Sequence, residues 1–281
     1  MILATRESEL ARAHGSDVQD ALAARFPAEI DVQRIVREDG NESVLRGEAD
    51  VAVHRMEHLP PKIHEDLVIA GLLPRGPFTD ALVSDASMKD LPKEGRVATT
   101  NIRRRAMLLR ARADLKIVEA HADVKERIGS WRVGDVDAVV LPTASVKRLA
   151  IEAPFEELDP ATFVPGAGQG ALGCVCKRGS RFEEFLEGID DERTRSEVEV
   201  ERAILHALGA NLGMPVGVHA VKRGTQLTVH AIVLSLDGRR AVSMKEVIAA
   251  PDALYHADEL GERLKGMGAD VLLDKARRLL E

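Results

Sequence analysis

Aromatic residues are scarce in this chain of 281 residues, at 3% of the total. Apolar residues still make up 45%, so the hydrophobic cores must be built from Leu, Val, Ile and Ala. Only two cysteines occur, Cys174 and Cys176, with one residue between them. Disulfide scaffolds are short, cysteine-dense secreted chains, so the sequence does not predict one. On a strand the two thiols face the same side, which predicts two small buried side chains.

Long apolar runs and an excess of positive charge are also missing. No stretch reaches the ~18 apolar residues of a membrane helix, and the first residues indicate a strand rather than a signal peptide. The formal net charge is −7, whereas general nucleic-acid binding needs a basic footprint. Histidine and cysteine do not occur at zinc-site spacing, so we expect no metal. The sequence predicts a cytoplasmic protein with no membrane or nucleic-acid partner.

Short apolar runs alternate with amphipathic stretches over the first two thirds of the chain, which predicts α/β layers with largely parallel sheets. Two prolines in residues 72–82 indicate a crossover between two such units. Beyond about residue 191 the pattern changes to a long helix over residues 196–208, a hairpin around Asp237-Gly238 and two closing helices. The tail therefore reads as a separate α+β domain.

The stretch VATTNIRRRA, residues 97–106, marks one junction between a strand and a helix. The strand ends at Thr99 and Thr100, and Asn101 can cap the helix that follows. Its first turn carries three arginines, although the helix dipole disfavours cations at that end.

A bound anion would remove this conflict, because free amides and guanidinium groups could both contact it. Successive helix residues turn by about 100°, so we expect Arg103 and Arg104 to face the ligand and Arg105 to face solvent. The alternative is a charged surface turn.

The stretch LATRES, residues 3–8, is a second such junction, with Thr5 as a candidate cap and with Arg6 and Ser8 at the helix start. Two junctions of this kind predict an anion-binding cleft between two domains, with ordinary capping as the alternative. The glycine-rich GAGQGALG, residues 166–173, lacks the GK[ST] of a phosphate loop. We expect it to let the backbone pass close to another segment or a ligand.

Six stretches, in order along nearly the whole chain, resemble motifs of one family. ATRES resembles ATR-x-S, ADVAVHRMEHLP resembles AD-[IV]-AVHS-[LM]-KD-[VL]-P, and VATTNIRR resembles GTSS-x-RR. DVDAVVLPTASVKRL is similar to YDAI-[IV]-LA-x-AG-[LV]-x-RL, and VPGAGQGALGCVC to P-x-[VP]-GQG-[AC]-[LI]-[GA]-x-[EQ]-[CV]. RSEVEVERAILHALGANLGMPVGVHA is similar to T-x-x-ERA-[FL]-L-x-x-LEGGC-x-[VI]-P-[IL]-[GA]. The chain is identified as a member of the hydroxymethylbilane synthase (porphobilinogen deaminase) family.

The resemblance implies two periplasmic-binding-protein-like α/β domains around a cleft, plus a C-terminal α+β domain. Its boundaries here are residues 1–73 with 168–189, residues 79–163, and residues 191–281. The family joins four porphobilinogens head to tail, with loss of ammonia, on a dipyrromethane cofactor attached to a cysteine of the third domain. An aspartate between the first two domains handles proton transfer at the pyrrole nitrogens. We expect a monomer.

The family's carboxylate-binding residues are carried over only where the motifs match. Asn101 replaces a serine of the second junction, and in the RGN-x-x-TR motif His121 and Asp123 take the places of the earlier arginine and asparagine. The matching residues, expected to bind substrate or cofactor carboxylates, are Arg6, Ser8, Thr99, Thr100, Arg103, Arg104, Arg127 and Arg148.

The catalytic positions depart from the family. Glu57 stands where the family has lysine, and His58 stands at its aspartate. Leu212 occupies the position of the cofactor cysteine, and a leucine cannot form a thioether, so covalent attachment of dipyrromethane is predicted to be absent. The glycine- and lysine-rich lid is mostly missing as well.

Two functions remain open. One is a divergent synthase that uses a non-covalent primer, with His58 as the general base. The other is a non-catalytic or repurposed homologue that binds porphobilinogen or a linear or cyclic tetrapyrrole polycarboxylate. A third hypothesis, a simple cleft-type solute-binding protein, is disfavoured because the sequence shows no export signal.

Overall fold

The computed structural model describes residues 1–27, 31–120 and 123–280. His121 lies outside these residues. The strands are β1 Ile2–Thr5, β2 Gln33–Val36, β3 Val51–Arg55, β4 Leu67–Leu72, β5 Asp80–Val83, β6 Arg96–Ala98, β7 Lys116–Val118, β8 Ala138–Pro142, β9 Phe155–Glu157, β10 Leu172–Lys177, β11 Val216–Arg223, β12 Gln226–Leu234 and β13 Ala241–Ala249. The helices are α1 Glu9–Arg25, α2 Gly40–Leu45, α3 Ile102–Ala111, α4 Val124–Arg132, α5 Thr143–Arg148, α6 Glu183–Glu187, α7 Glu192–Ala207, α8 Ala253–Gly266 and α9 Ala269–Leu280.

Two five-stranded sheets with their helices form two lobes. The first lobe has the strand order β2-β1-β3-β10-β4 and the second lobe has β7-β6-β8-β5-β9. In each sheet one strand, β10 or β5, runs antiparallel to both neighbours, while the other four share a direction. β10 and β5 are also the strands that the chain enters when it crosses from one lobe to the other. The α/β prediction is confirmed.

The chain crosses between the lobes twice, in residues 73–79 and in residues 158–171. These two crossing segments contact each other at the glycine-rich stretch. Gly170 has φ +84°, and a Cβ added there would lie 2.7 Å from the carbonyl oxygen of Pro77. Such a backbone favours glycine on both conformational and steric grounds. The expected close passage of two segments is confirmed, and the junction between the lobes is tightly packed.

The third domain is the antiparallel sheet β11-β12-β13 covered by α7, α8 and α9. Its core is aliphatic, as composition predicts, with Ile204, Val218, Val233 and Leu264 fully buried. β12 and β13 pair from Leu234↔Ala241 onward, so the predicted hairpin is confirmed. The helix before it begins at Glu192 rather than at residue 196, because Asp191 caps it by accepting a hydrogen bond from the Thr194 amide.

A buried ion-pair network connects the third domain to both crossing segments. Glu201 of α7 is completely buried and accepts hydrogen bonds from Arg75 Nη1 and Nη2, at 2.8 and 3.1 Å. The backbone amides of Gly168 and Ala220 donate to the same carboxylate, at 2.6 and 2.7 Å, and His219 Nδ1 lies 3.1 Å from it. One carboxylate thus joins a crossing segment, the glycine-rich stretch and strand β11.

Cys174 and Cys176 are buried in the core of the first lobe, as the strand spacing predicts. Burial raises the pKa of the Cys174 thiol to about 12, so it stays protonated. None of the described helices is both long and apolar enough to cross a bilayer.

Candidate functional site

A cavity of about 570 Å³ lies between the two lobes and reaches the loop that precedes β11. Its volume is typical of a small-molecule site. Among the described residues, five cationic side chains line it, against three acidic ones, Glu9, Glu38 and Asp123. The cations are Arg6, Arg55, Arg104, Lys125 and Arg127. The cavity wall therefore carries net positive charge inside a protein of net charge −7.

Three helices begin at this cavity. The Ser8 hydroxyl caps α1, the Asn101 carboxamide caps α3 and the Asp123 carboxylate caps α4. The cap of α1 is therefore Ser8 and not Thr5, whereas the prediction for Asn101 is confirmed. Helix N-termini attract anions through their dipoles and free amides, so the three ends add to the field of the cations.

Most of the carboxylate-binding residues implied by the family motifs meet at the cavity. The structure places Arg6, Ser8, Thr100, Arg104 and Arg127 on its wall, together with His58 and Leu212. Thr99, Arg103 and Arg148 do not line it.

Arg103 is buried behind the wall, where it acts as a structural cation. Its guanidinium donates to Asp80 Oδ2 at 2.7 Å, to the Val164 carbonyl at 2.7 Å and to Gln169 Oε1 at 3.0 Å. Arg104 donates to Asp80 Oδ1 at 2.6 Å and also reaches the cavity. Asp80 is completely buried; burial raises the pKa of its carboxyl, but the two guanidiniums outweigh this and hold it below the usual value. The prediction that Arg103 faces the ligand is therefore wrong, whereas the prediction that Arg105 faces solvent is confirmed.

Two ion pairs connect the lobes beside the cavity. Arg148 Nη2 of the second lobe lies 2.5 Å from Asp17 Oδ2 of α1, and Lys125 Nζ lies 2.5 Å from Glu9 Oε2. The Arg148 guanidinium thus contacts the opposite lobe rather than the cavity.

His58 lies on the cavity wall in the short 3₁₀ turn after β3. Partial burial and the nearby cations Arg55 and Arg104 outweigh the attraction of Glu57 and lower the pKa of His58 to about 4. The imidazole is therefore neutral at pH 7, and it is a weaker base than an ordinary histidine. Its Nε2 lies 3.7 Å from Glu57 Oε1, and Glu57 is nearly buried.

Among the wall residues that the sequence analysis did not predict are Arg55, His14 and His54. Burial lowers the pKa of His14 to about 3 and that of His54 to about 4, so both are neutral. Arg55 ends strand β3, whose carboxyl end opens on the cleft. Ligands of open α/β sheets bind at the carboxyl ends of strands, and this rule could have indicated Arg55.

The loop before β11 brings Leu212 and Gly213 to the cavity, and the Leu212 side chain is partly exposed there. Leucine offers no nucleophile. Both cysteines are buried in the first lobe, in a core away from this loop. The residues present therefore do not fit a thioether link to dipyrromethane, whereas the cations of the wall fit its carboxylates.

The fold and the site define a three-domain α/β protein whose two lobes enclose a cationic cleft. Residues 28–183 match the family described as porphobilinogen deaminase, dipyromethane cofactor binding domain, and residues 196–267 match porphobilinogen deaminase, C-terminal domain. The chain belongs to the porphobilinogen deaminase family.

Curated relatives agree over most of the chain. A porphobilinogen deaminase of Rubrobacter xylanophilus is 36% identical over 255 residues, covering 90% of this chain and 78% of that protein. One of Maridesulfovibrio salexigens is 31% identical over 299 residues, covering 97% of each. A probable porphobilinogen deaminase of Thermoplasma volcanium is 33% identical over 255 residues, covering 84% of this chain and 86% of that protein.

Two solved structures that are similar to part of this chain are periplasmic binding proteins. A TRAP periplasmic solute binding protein from Desulfovibrio salexigens has 10% identity, a TM-score of 0.47, and coverage of 69% of this chain and 73% of its own. An ABC-transporter periplasmic substrate-binding protein from Coxiella burnetii is 16% identical with a TM-score of 0.44, and the match covers 70% of this chain and 94% of that protein.

Proposed function

We propose that this protein is a porphobilinogen deaminase-like transferase of tetrapyrrole biosynthesis that joins four porphobilinogens with loss of ammonia, on a primer held without a covalent bond. The observation that carries the proposal is the cationic cavity at which both lobes and the Leu212 loop meet. Every pyrrole of such a chain brings two carboxylates, which suits a wall of guanidiniums.

Arg6, Arg104 and Arg127 would hold these carboxylates, with Ser8 and Thr100 as hydroxyl donors. The three helix N-termini supply further favourable potential. Arg103 and Arg148 act from outside the wall: the buried Arg103 shares Asp80 with Arg104, and Arg148 forms an ion pair with Asp17 of the first lobe.

His58 would take the proton-transfer role, because it lines the cavity at the position of the family's aspartate. Glu57 beside it would stabilise the imidazolium that forms. General-base removal typically costs about 10²–10⁴-fold in rate. We therefore expect His58→Ala to lower the rate of porphobilinogen consumption by about that factor. His206→Ala, an exposed histidine outside the cavity, serves as the control.

A second function is favoured by Leu212 itself: binding of a pyrrole or tetrapyrrole polycarboxylate without turnover. Both readings share the cleft and its carboxylate contacts, and they differ in whether a pyrrole chain grows there.

Incubation with porphobilinogen, followed by acid oxidation and detection of uroporphyrin, separates the two. Uroporphyrin that depends on His58 supports the synthase, and tight calorimetric binding without product supports the binding protein. Neither binding nor product with porphobilinogen or tetrapyrroles would reject both. Intact-mass spectrometry of the purified protein is expected to give the bare polypeptide, and an added mass of two pyrrole units would contradict the non-covalent primer.

Leu212→Cys tests the placement of the loop directly. A thiol on this wall should displace ammonia from the aminomethyl group of porphobilinogen or of an oligopyrrole, forming a carbon–sulfur bond. We expect the variant to gain the mass of whole pyrrole units, while the wild-type protein, whose thiols are buried, stays bare. No adduct on the variant would mean that Leu212 does not face the reacting end of the ligand.

A further inference from the structure

Strand β3 ends in an arginine, Arg55, to which the family motifs assign no role. Arg55 stands where the quoted motif has serine, and Glu57 stands two residues later where the motif has lysine. Both this chain and the family motif therefore have one cationic residue at these two positions, but it lies at position 55 here and at the equivalent of position 57 in the motif.

The geometry explains the consequence of this exchange. Arg55 lines the cavity with its side chain 29% exposed. Within the described part of the chain its guanidinium has one polar partner, Glu57 Oε1, at 3.4 Å. That distance is near the upper limit of a hydrogen bond, so most of its five N–H donors remain available.

Glu57 cannot satisfy Arg55 alone, because other groups share its carboxylate. Glu57 Oε2 lies 3.8 Å from Arg104 Nη2, and Glu57 Oε1 lies 3.7 Å from His58 Nε2. Together with Asp80, which Arg103 and Arg104 share, the cluster contains two carboxylates and three guanidiniums. The member that faces the cavity with the fewest contacts is Arg55.

A partly buried cation that is incompletely paired is unfavourable, and a carboxylate ligand relieves it. We infer that Arg55 is a specificity-determining residue that binds a carboxylate of the ligand on the first-lobe wall, three residues from His58. This inference rests on the proposed function and adds a contact specific to this chain. It places an acidic side chain of the ligand next to the group proposed to move protons.

The test compares binding of porphobilinogen, measured by calorimetry, with binding of 2-aminomethylpyrrole, which has the same ring and amine but no carboxylates. Charge-assisted hydrogen bonds are worth a factor of about 10–100 in affinity. We expect Arg55→Met to weaken porphobilinogen binding by about that factor and to leave 2-aminomethylpyrrole binding within about twofold. Arg55→Lys should fall between, since it keeps the charge but loses the planar fork.

Arg105→Met is the matched control, because Arg105 is exposed and outside the cavity. Near-ultraviolet circular dichroism checks that each variant is folded. Wild-type binding with equal affinities for Arg55→Met and Arg105→Met would overturn the role of Arg55 and leave the proposed function standing. Weakening of both ligands alike by Arg55→Met would also overturn it. If the wild-type protein neither binds porphobilinogen nor forms uroporphyrin from it, the proposed synthase function is rejected, and this inference with it.

Discussion

Replacement of Glu201 by Gln tests the network that fastens the third domain. The Glu201 carboxylate is fully buried; burial raises its pKa, but the Arg75 guanidinium and His219 outweigh this and lower it to about 2. The pKa of Glu201 thus falls from the usual 4.5 to about 2 on folding. Since a shift of one pKa unit corresponds to about 1.4 kcal/mol, the charged carboxylate contributes about 3 kcal/mol to the free energy of unfolding. Breaking a buried ion pair typically costs about 3–5 kcal/mol, which agrees.

The direction of the pH dependence follows from the lowered pKa. A carboxyl group that binds its proton less readily in the folded state stabilises the fold above pH 4.5. This contribution is lost as the pH falls from 4.5 toward 2. We therefore expect Glu201→Gln to be less stable than wild type by about 3 kcal/mol at pH 7, with the difference shrinking below pH 4.5.

Urea unfolding at pH 7, 4 and 3, followed by circular dichroism, measures these differences. Glu199→Gln is the control on the same helix, since the Glu199 side chain is 42% exposed and pairs with the partly exposed Arg195. Its cost should stay under about 1 kcal/mol. Equal stability of the two variants at pH 7, or a Glu201→Gln deficit that persists unchanged at pH 3, would refute the reasoning.

Three further changes probe other parts of the structure. Asp80→Asn leaves two buried guanidiniums without their shared anion and should cost about 3–5 kcal/mol in urea unfolding; a cost under about 1 kcal/mol would contradict the buried network. Gly170→Ala should lower the melting temperature more than Gly179→Ala, because both have positive φ but only Gly170 meets backbone at 2.7 Å; equal losses would show that this contact can relax. Asp17→Asn removes the interlobe pair with Arg148 and should cost under about 1 kcal/mol, an effect that 1 M salt abolishes; a salt-independent cost would argue against an ion pair.

Features that depend on neighbours in sequence could be predicted from it. The cap at Asn101, the hairpin at Asp237-Gly238 and the exposed Arg105 all follow from short-range rules and agree with the structure. The joining of Arg6 and Arg104 at one cavity also agrees, because both lie at junctions between strands and helices.

Features that depend on long-range pairing could not be predicted. The partner of Arg103 is Asp80, 23 residues earlier, and nothing local marks that aspartate as buried. Arg148 meets Asp17 only because the lobes face each other. In both cases a cation that was expected to bind a ligand has a protein carboxylate as its partner.

If the primer is held as we propose, Leu212 on the cavity wall changes how long an occupant can stay. A group joined through sulfur remains through every cycle, whatever its concentration. An occupant held by guanidiniums and helix ends leaves at a rate set by its own dissociation, and its occupancy follows mass action and ionic strength. Such a protein would have to be reloaded from solution, so its output would track the cellular supply of free pyrroles.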